Sequence, residues 1–204
     1  MDYLQDIYFT NINAVYNLGG YFSLPKNGDW SCSDEPFEQN KFYYIMDGSC
    51  TININGIPFV GNAGDWFFIP ANTIHSFFNH KEKSFKKYWM HFDIYPDESL
   101  FHLLDLPYVI NVGTKGKVKE LFSKFSKLVN ADDWIDKLTI KAILFNLIIE
   151  FIKNSKPEGI KLIQKTDERL NNLLRFINEN LDKELNIKVL AEKYFSHPTH
   201  FIRS

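Results

Sequence analysis

The stretch from Gly64 to Asn79 limits this chain's folding options more than any other. It reads Gly-Asp-Trp-Phe-Phe-Ile-Pro-Ala-Asn-Thr-Ile-His-Ser-Phe-Phe-Asn. A turn signal at Asn62 to Asp65 leads into the apolar run Trp66 to Ile69. A break follows at Pro70 to Thr73, and then a second apolar run around His75. Short apolar runs punctuated by Gly, Pro and Asn are read as two strands joined by a turn.

The neighbouring residues repeat the pattern. Phe42 to Met46 reads as a strand ended by Asp47-Gly48, a two-residue hairpin signal. Cys50 to Ile54 alternates apolar and polar, and Asn55-Gly56 is a further hairpin turn before Ile57 to Val60. Phe85 to Tyr95 closes the series. Upstream, Gly19-Gly20 reads as a turn between two short extended segments, and Asn27-Gly28-Asp29 as another turn. Cys32 to Asn40, polar and carrying Pro36, reads as a loop or an edge. Many short strands at regular spacing predict a sandwich or barrel.

After Pro107 the period changes. From Lys115 to Asn130, Val118, Leu121, Phe122, Phe125, Leu128 and Val129 fall at three- and four-residue spacing on one helix face. Asp132-Asp133 opens a second helix to about Asn154, with acidic residues at its positive end. One stripe of that helix is Leu138, Ala142, Phe145, Ile149 and Ile152, and Ile140, Leu144, Leu147, Ile148 and Phe151 widen it. Apolar coverage this broad implies two packing partners, one of which can be a second subunit. Ser155 to Thr166, with Pro157 and Gly159, reads as a linker. A third helix is expected from about Asp167 to Leu181, and a fourth from about Ile187 to Tyr194 capped by Asn186. Pro198 suits the first position of a fifth.

Composition narrows the function classes. The 204 residues suffice for one substantial core plus a smaller helical unit. A net charge of −2 gives the chain as a whole no electrostatic case for nucleic acid. Nineteen Phe, ten Tyr and four Trp suit either a packed β-structure or an aromatic-lined pocket. Cys32 and Cys50 have no metal or redox spacing. No basic-then-apolar leader opens the chain, and the longest apolar run, Ala142 to Ile152, is too short to span a bilayer. A cytoplasmic protein that does not enter membranes is expected.

The order Gly64, Pro70, His75, Asn79 resembles the second motif of the cupin barrels, and Phe42 to Gly48 resembles their glycine-ended first motif. Tyr43-Tyr44-Ile45-Met46-Asp47-Gly48 and Tyr88-Trp89-Met90-His91-Phe92 are similar to the effector-sensing domain of AraC-type transcription regulators. Leu185-Asn186-Ile187, Leu190-Ala191 and His197-Pro198-Thr199-His200-Phe201-Ile202-Arg203 resemble the first helix-turn-helix of that family, whose second helix enters the major groove. The resemblance implies a cupin-type jelly-roll β-barrel followed by two packed dimerisation helices and a partial helix-turn-helix domain. Its divisions are 1–108 for the barrel with its N-terminal arm, 109–155 for the helices, 156–166 for the linker and 167–204 for the DNA-binding part. Thr199, Ile202 and Arg203 are then the DNA-facing residues, and Ala191 the small residue where two helices cross. The family has two such units and this sequence stops inside the first, so weak or no DNA binding is expected of this chain alone. Met1 to Thr10 reads equally as an arm over the pocket or as a first strand.

Cupin enzymes hold a metal with two His and a Glu from the first motif and a His from the second. Here His75 stands at the second-motif position, but Pro36-Phe37-Glu38-Gln39-Asn40-Lys41 offers no His, and Glu38 with His75 is too few for a site. No metal or cofactor is expected, and a metal-dependent isomerase or dioxygenase is the alternative. Without a metal, the interior becomes a small-molecule pocket. Strand alternation puts His75 with Phe77, and Lys87, Trp89, His91 and Asp93 together. The resemblance implies that these face inward, with Trp89 stacking on a sugar ring, and Trp30, Glu38 and Tyr44 completing the lining. The same aromatics equally suit a barrel core, and His75 a structural role at the turn near Asn79. The function implied is effector-responsive transcription regulation: a small molecule, expected to be a carbohydrate, binds a homodimer and alters its hold on DNA.

Overall fold

The computed structural model describes residues 8–95, 100–130, 132–156, 168–180 and 185–193. The chain divides into two compact units, one of Ile12–Ile160 and a smaller one of Met1–Asn11 with Lys161–Ser204.

The larger unit is a β-sandwich followed by helices. Its strands are β1 (Asn13–Leu24), β2 (Ser31–Pro36), β3 (Asn40–Asp47), β4 (Ser49–Ile54), β5 (Ile57–Asn62), β6 (Asp65–Ile69), β7 (Ile74–Asn79), β8 (Phe85–Tyr95) and β9 (Val109–Asn111). They form two antiparallel sheets, ordered β1-β8-β3-β6-β9 and β2-β7-β4-β5. The core between them joins Tyr43, Ile45, Phe67, Ile69 and Phe85 of the first sheet to Cys50, Ile52 and Ile54 of the second. This is the jelly-roll expected from the sequence.

Two turn readings are corrected. Asp47-Gly48 is not a hairpin, because β3 and β4 belong to different sheets and do not pair. Gly48 instead turns a corner between sheets, with φ at 75°, where an added Cβ would lie 2.2 Å from the Ser84 carbonyl oxygen. Gly19-Gly20 is no turn, since β1 runs straight through it beside β8. A Cβ on Gly19 would lie 2.6 Å from the Trp89 carbonyl oxygen and 2.8 Å from the Phe125 ring, so close packing explains this glycine. Asn55-Gly56 is the true hairpin turn, both residues at positive φ between the paired Ile54 and Ile57. The short β9, which pairs with β6, lies past the expected end of the strands.

After a helical turn α1 (residues 8–11) in the smaller unit, the helices are α2 (Leu100–Leu103), α3 (Lys117–Leu128) and α4 (Trp134–Ser155) in the larger one. Asp133 caps α4 by accepting from the Ile135 amide, and Lys156 ends it in the left-handed conformation. Phe122 of α3 stacks on Tyr44 and Tyr88, and Phe151 of α4 meets Phe42, Trp66 and Phe68. The helices therefore cover the outer face of the β1-β8-β3-β6-β9 sheet, and β3 is buried on both sides.

In the smaller unit, α5 (Glu168–Glu179) and α6 (Ile187–Lys193) contribute the buried Leu173 and Ala191. Asn186 caps α6 by accepting from the Val189 amide. The expected linker core, the fifth helix and the N-terminal residues 1–7 lie outside the described residues.

Phe151→Ala should lower the unfolding free energy of the larger unit by about 3–5 kcal/mol in a urea titration, since Phe151 has no accessible surface. Ile149→Ala, two residues away and 45% exposed, should cost about 0.5 kcal/mol or less.

Candidate functional site

Three strands bring the chemistry together between the sheets. β3 contributes Lys41 and Tyr43, β7 contributes His75 and Phe77, and β8 contributes Lys87, Trp89 and His91. The alternate residues of β8, Tyr88, Met90 and Phe92, are buried on the helix side. Beyond Lys86, the helices take the apolar face of β8, and its more polar face points inside. Apolar content alone would predict the reverse.

Lys41 and His75 join the two sheets. The His75 Nδ1 lies 2.8 Å from the Thr73 carbonyl oxygen, which only accepts, so Nδ1 carries the proton. Nε2 is then an acceptor, and the Lys41 Nζ donates to it at 3.0 Å. Burial pushes the His75 pKa down and the nearby Lys41 charge adds to this, while the Thr73 bond opposes it. The structural role foreseen for His75 is present, but its anchor is Thr73. Asn79 instead fixes Trp30. Its Oδ1 accepts from the Trp30 amide at 2.7 Å, and its Nδ2 donates to the Gly28 carbonyl at 3.0 Å. Trp30, held this way, stacks on Phe77 with ring centroids 4.0 Å apart and also on Phe85. The His75 nitrogen that a metal would need is occupied by Lys41. Among the described residues, no three His, Cys, Asp or Glu converge on a metal position.

Lys87 is the most unusual group. It is 3% exposed, and its Nζ lies 3.7 Å from the centroids of both Trp30 and Tyr43. Burial drives its pKa well below that of an ordinary lysine, with Lys41 pushing the same way and Cys50 opposing. His91 is pushed down to about 3, first by burial and then by Lys41, Lys87 and His75. Tyr43 is raised by burial, and the Cys50 thiol is pushed up to about 12 for the same reason. The interior is thus basic in composition, and its acidic hydroxyl and thiol neighbours stay neutral at pH 7.

Of the expected ligand residues, the structure brings together Trp30, His75, Phe77, Lys87, Trp89 and His91. Tyr44 is corrected: it faces the helices, stacks on Phe122 and donates its hydroxyl proton to the Gly113 carbonyl. Its strand is apolar on both faces, so composition did not set its direction. Glu38 is exposed. Thr199, Ile202 and Arg203 lie outside the described residues. Lys41, Tyr43 and Asn79 belong to the constellation although the sequence does not single them out as ligand residues. A charged residue inside an apolar central strand was the available signal for Lys41.

The interior is not empty throughout. Around Trp30, Phe77, Phe85 and Tyr43 it is packed with rings. Toward the other end, Trp89 and His91 face inward yet remain partly accessible, with ring centroids 5.1 Å apart. A separate surface groove of about 410 Å³ lies against β1 and α4, lined by Val15, Tyr16, Ile140, Lys137 and Lys141 among others. No buried polar side chain lines that groove, so the groups able to orient a ligand are concentrated between the sheets.

The family model described as Cupin domain matches residues 24–91. That match spans β2 to most of β8, including every interior residue discussed above. No curated protein matches the sequence. Among solved structures, the chain is similar to the plu4264 protein from Photorhabdus luminescens, at 20% identity over 37% of this chain and 61% of that one, with a TM-score of 0.32. The Cnp3 cupin domain of Schizosaccharomyces pombe shares 15% identity over 39% of this chain and 61% of its own, with a TM-score of 0.33. The match thus spans less than two thirds of either protein. ToxT from Vibrio cholerae, solved with an unsaturated fatty acid bound, aligns with 92% of this chain and 73% of its own at 10% identity and a TM-score of 0.43. No described helix is long and apolar enough to cross a membrane.

The depressed His91 pKa has a consequence for stability. An unfolded His binds a proton near pH 6.5, whereas folded His91 resists it down to about 3. Between those values the unfolded chain holds more protons, so stability falls as the pH drops through that window. His75 acts with the same sign. Urea midpoints should fall between pH 7 and pH 4.5, and His91→Gln should shrink that difference; an unchanged difference would show that His91 does not titrate in this range.

Proposed function

We propose that this chain is the effector-binding part of an AraC-type transcription regulator. The small molecule enters between the sheets, where Trp89 offers a ring to stack on and Lys87, His91 and His75 supply polar contacts. The observation that carries this reading is the direction of β8, which turns its polar residues into the sandwich and leaves its apolar ones to the helices. A fold that needed only a core would gain by the opposite arrangement. The regulatory half rests on the likeness of residues 185–203 to a helix-turn-helix, with Thr199, Ile202 and Arg203 toward DNA. A carbohydrate is the effector suggested by the sequence resemblance, since a sugar ring suits Trp89. The metal-enzyme alternative is disfavoured by the bond from Lys41 to His75 Nε2.

The proposed homodimer uses α4. Trp134, Ile135, Leu138 and Ile149 are 68%, 52%, 59% and 45% exposed, an apolar stripe on the side away from the sandwich. Effector binding then shifts the relative placement of two DNA-binding parts, which requires that the effector bind one arrangement more tightly than the other.

A thermal-shift screen of sugars and related small molecules tests the effector. A binder should raise the melting temperature of the wild type, and Trp89→Ala should abolish the rise while leaving the unliganded melting temperature within a few degrees. An equal rise in the variant would remove Trp89 from the site. For the dimer, sedimentation should give two chains for the wild type and one for Leu138→Asp with Ile149→Asp; a wild-type monomer would end that part of the proposal.

A further inference from the structure

Among the described residues, Lys87 has no counter-charge. Its Nζ makes no hydrogen bond or ion pair to a described residue, only ring contacts to Trp30, Tyr43, Phe22 and Phe77. The titratable and charged groups around it are Tyr43 and Lys41 on β3, Cys50 on β4 and His91 on β8. None carries negative charge at neutral pH, because the hydroxyl and thiol are held neutral by burial. Asp93, on the same face of β8, accepts from the Asn17 side-chain amide at 2.8 Å. Burying an ammonium without an anion is costly, and ring faces recover only part of that cost. A core lysine with this surrounding would be replaced at a gain in stability by Met, unless an anion visits it.

We propose that the sandwich interior recognises an organic carboxylate, its negative charge pairing with Lys87 and its body lying against Trp89 and His91. The inference rests on the effector reading above and narrows the ligand class: a sugar acid or an aromatic acid fits, and the neutral sugar does not suffice. Three features favour a monocarboxylate over a phosphate. One ammonium faces the site with Lys41 already bonded to His75, the walls are aromatic, and desolvating a second negative charge would go uncompensated. His91 remains neutral and available as a hydrogen-bond partner.

Matched probe pairs test this: galacturonate against galactose, and phenylacetate against phenylacetamide, extended to further acid–neutral pairs, each measured by calorimetry and thermal shift on the wild-type chain and on Lys87→Met. The expected result is that the acid of at least one pair binds, its neutral partner is about 10- to 100-fold weaker, and Lys87→Met removes that difference. Lys87→Met alone should be at least as stable as the wild type at pH 7, whereas a purely structural Lys87 would make it less so. Neutral partners that bind as tightly as the acids, or an acid preference that survives Lys87→Met, would overturn the carboxylate inference while leaving the effector reading standing. Failure of both members of every pair to bind would count against the effector reading itself, and this inference would fall with it.

Discussion

The packing of α3 and α4 onto the outer face of the β1-β8-β3-β6-β9 sheet is the constraint from which the rest follows. Phe122, Phe125 and Phe151 are fully buried there, against Phe42, Tyr44, Trp66, Phe68 and Tyr88. At about 1.5–3 kcal/mol for each large apolar side chain taken out of water, that layer is a core in its own right. With it in place, the inter-sheet space need not supply all the stability. One end of it is packed around Trp30 and Phe85. Lys87 lies among the rings of that end, and the interior also holds Lys41, His75 and His91, groups a single-core sandwich would exclude.

Holding those groups has a cost that shapes their arrangement. Lys41 and His75 meet each other, and the His75 tautomer is set by Thr73. Asn79 uses both of its amide atoms to place Trp30, which in turn forms one wall beside Lys87. Lys41, His75 and Asn79 are thus held in defined positions by hydrogen bonds. Preorganised, partly dehydrated polar groups are what a selective small-molecule site requires, because the ligand need not supply the ordering.

The elements were largely legible in the sequence, because Gly, Pro and Asn punctuate the strands and because α3 and α4 repeat at helical spacing. Their partnerships were less so. Asp47-Gly48 looks like a hairpin in composition, yet its strands part into different sheets, a long-range outcome that two residues cannot encode. Gly19-Gly20 looks like a turn, but the glycine is required by Trp89 and Phe125, whose approach is tertiary. For the site, β8 could be sorted into faces because its alternation is clean. β3 could not, since Lys41, Phe42, Tyr43, Tyr44 and Ile45 are all buried, and a strand buried on both faces gives little register. Pattern alone therefore places Tyr44 inside as readily as Tyr43.

The most direct test of the account is a crystal structure of the chain with whichever compound gives the largest thermal shift. The account predicts ligand density between the two sheets, in contact with Trp89 and within hydrogen-bond reach of Lys87 or His91. Density in the groove against β1 and α4 instead, with Trp89 and His91 closed on their own neighbours, would contradict it.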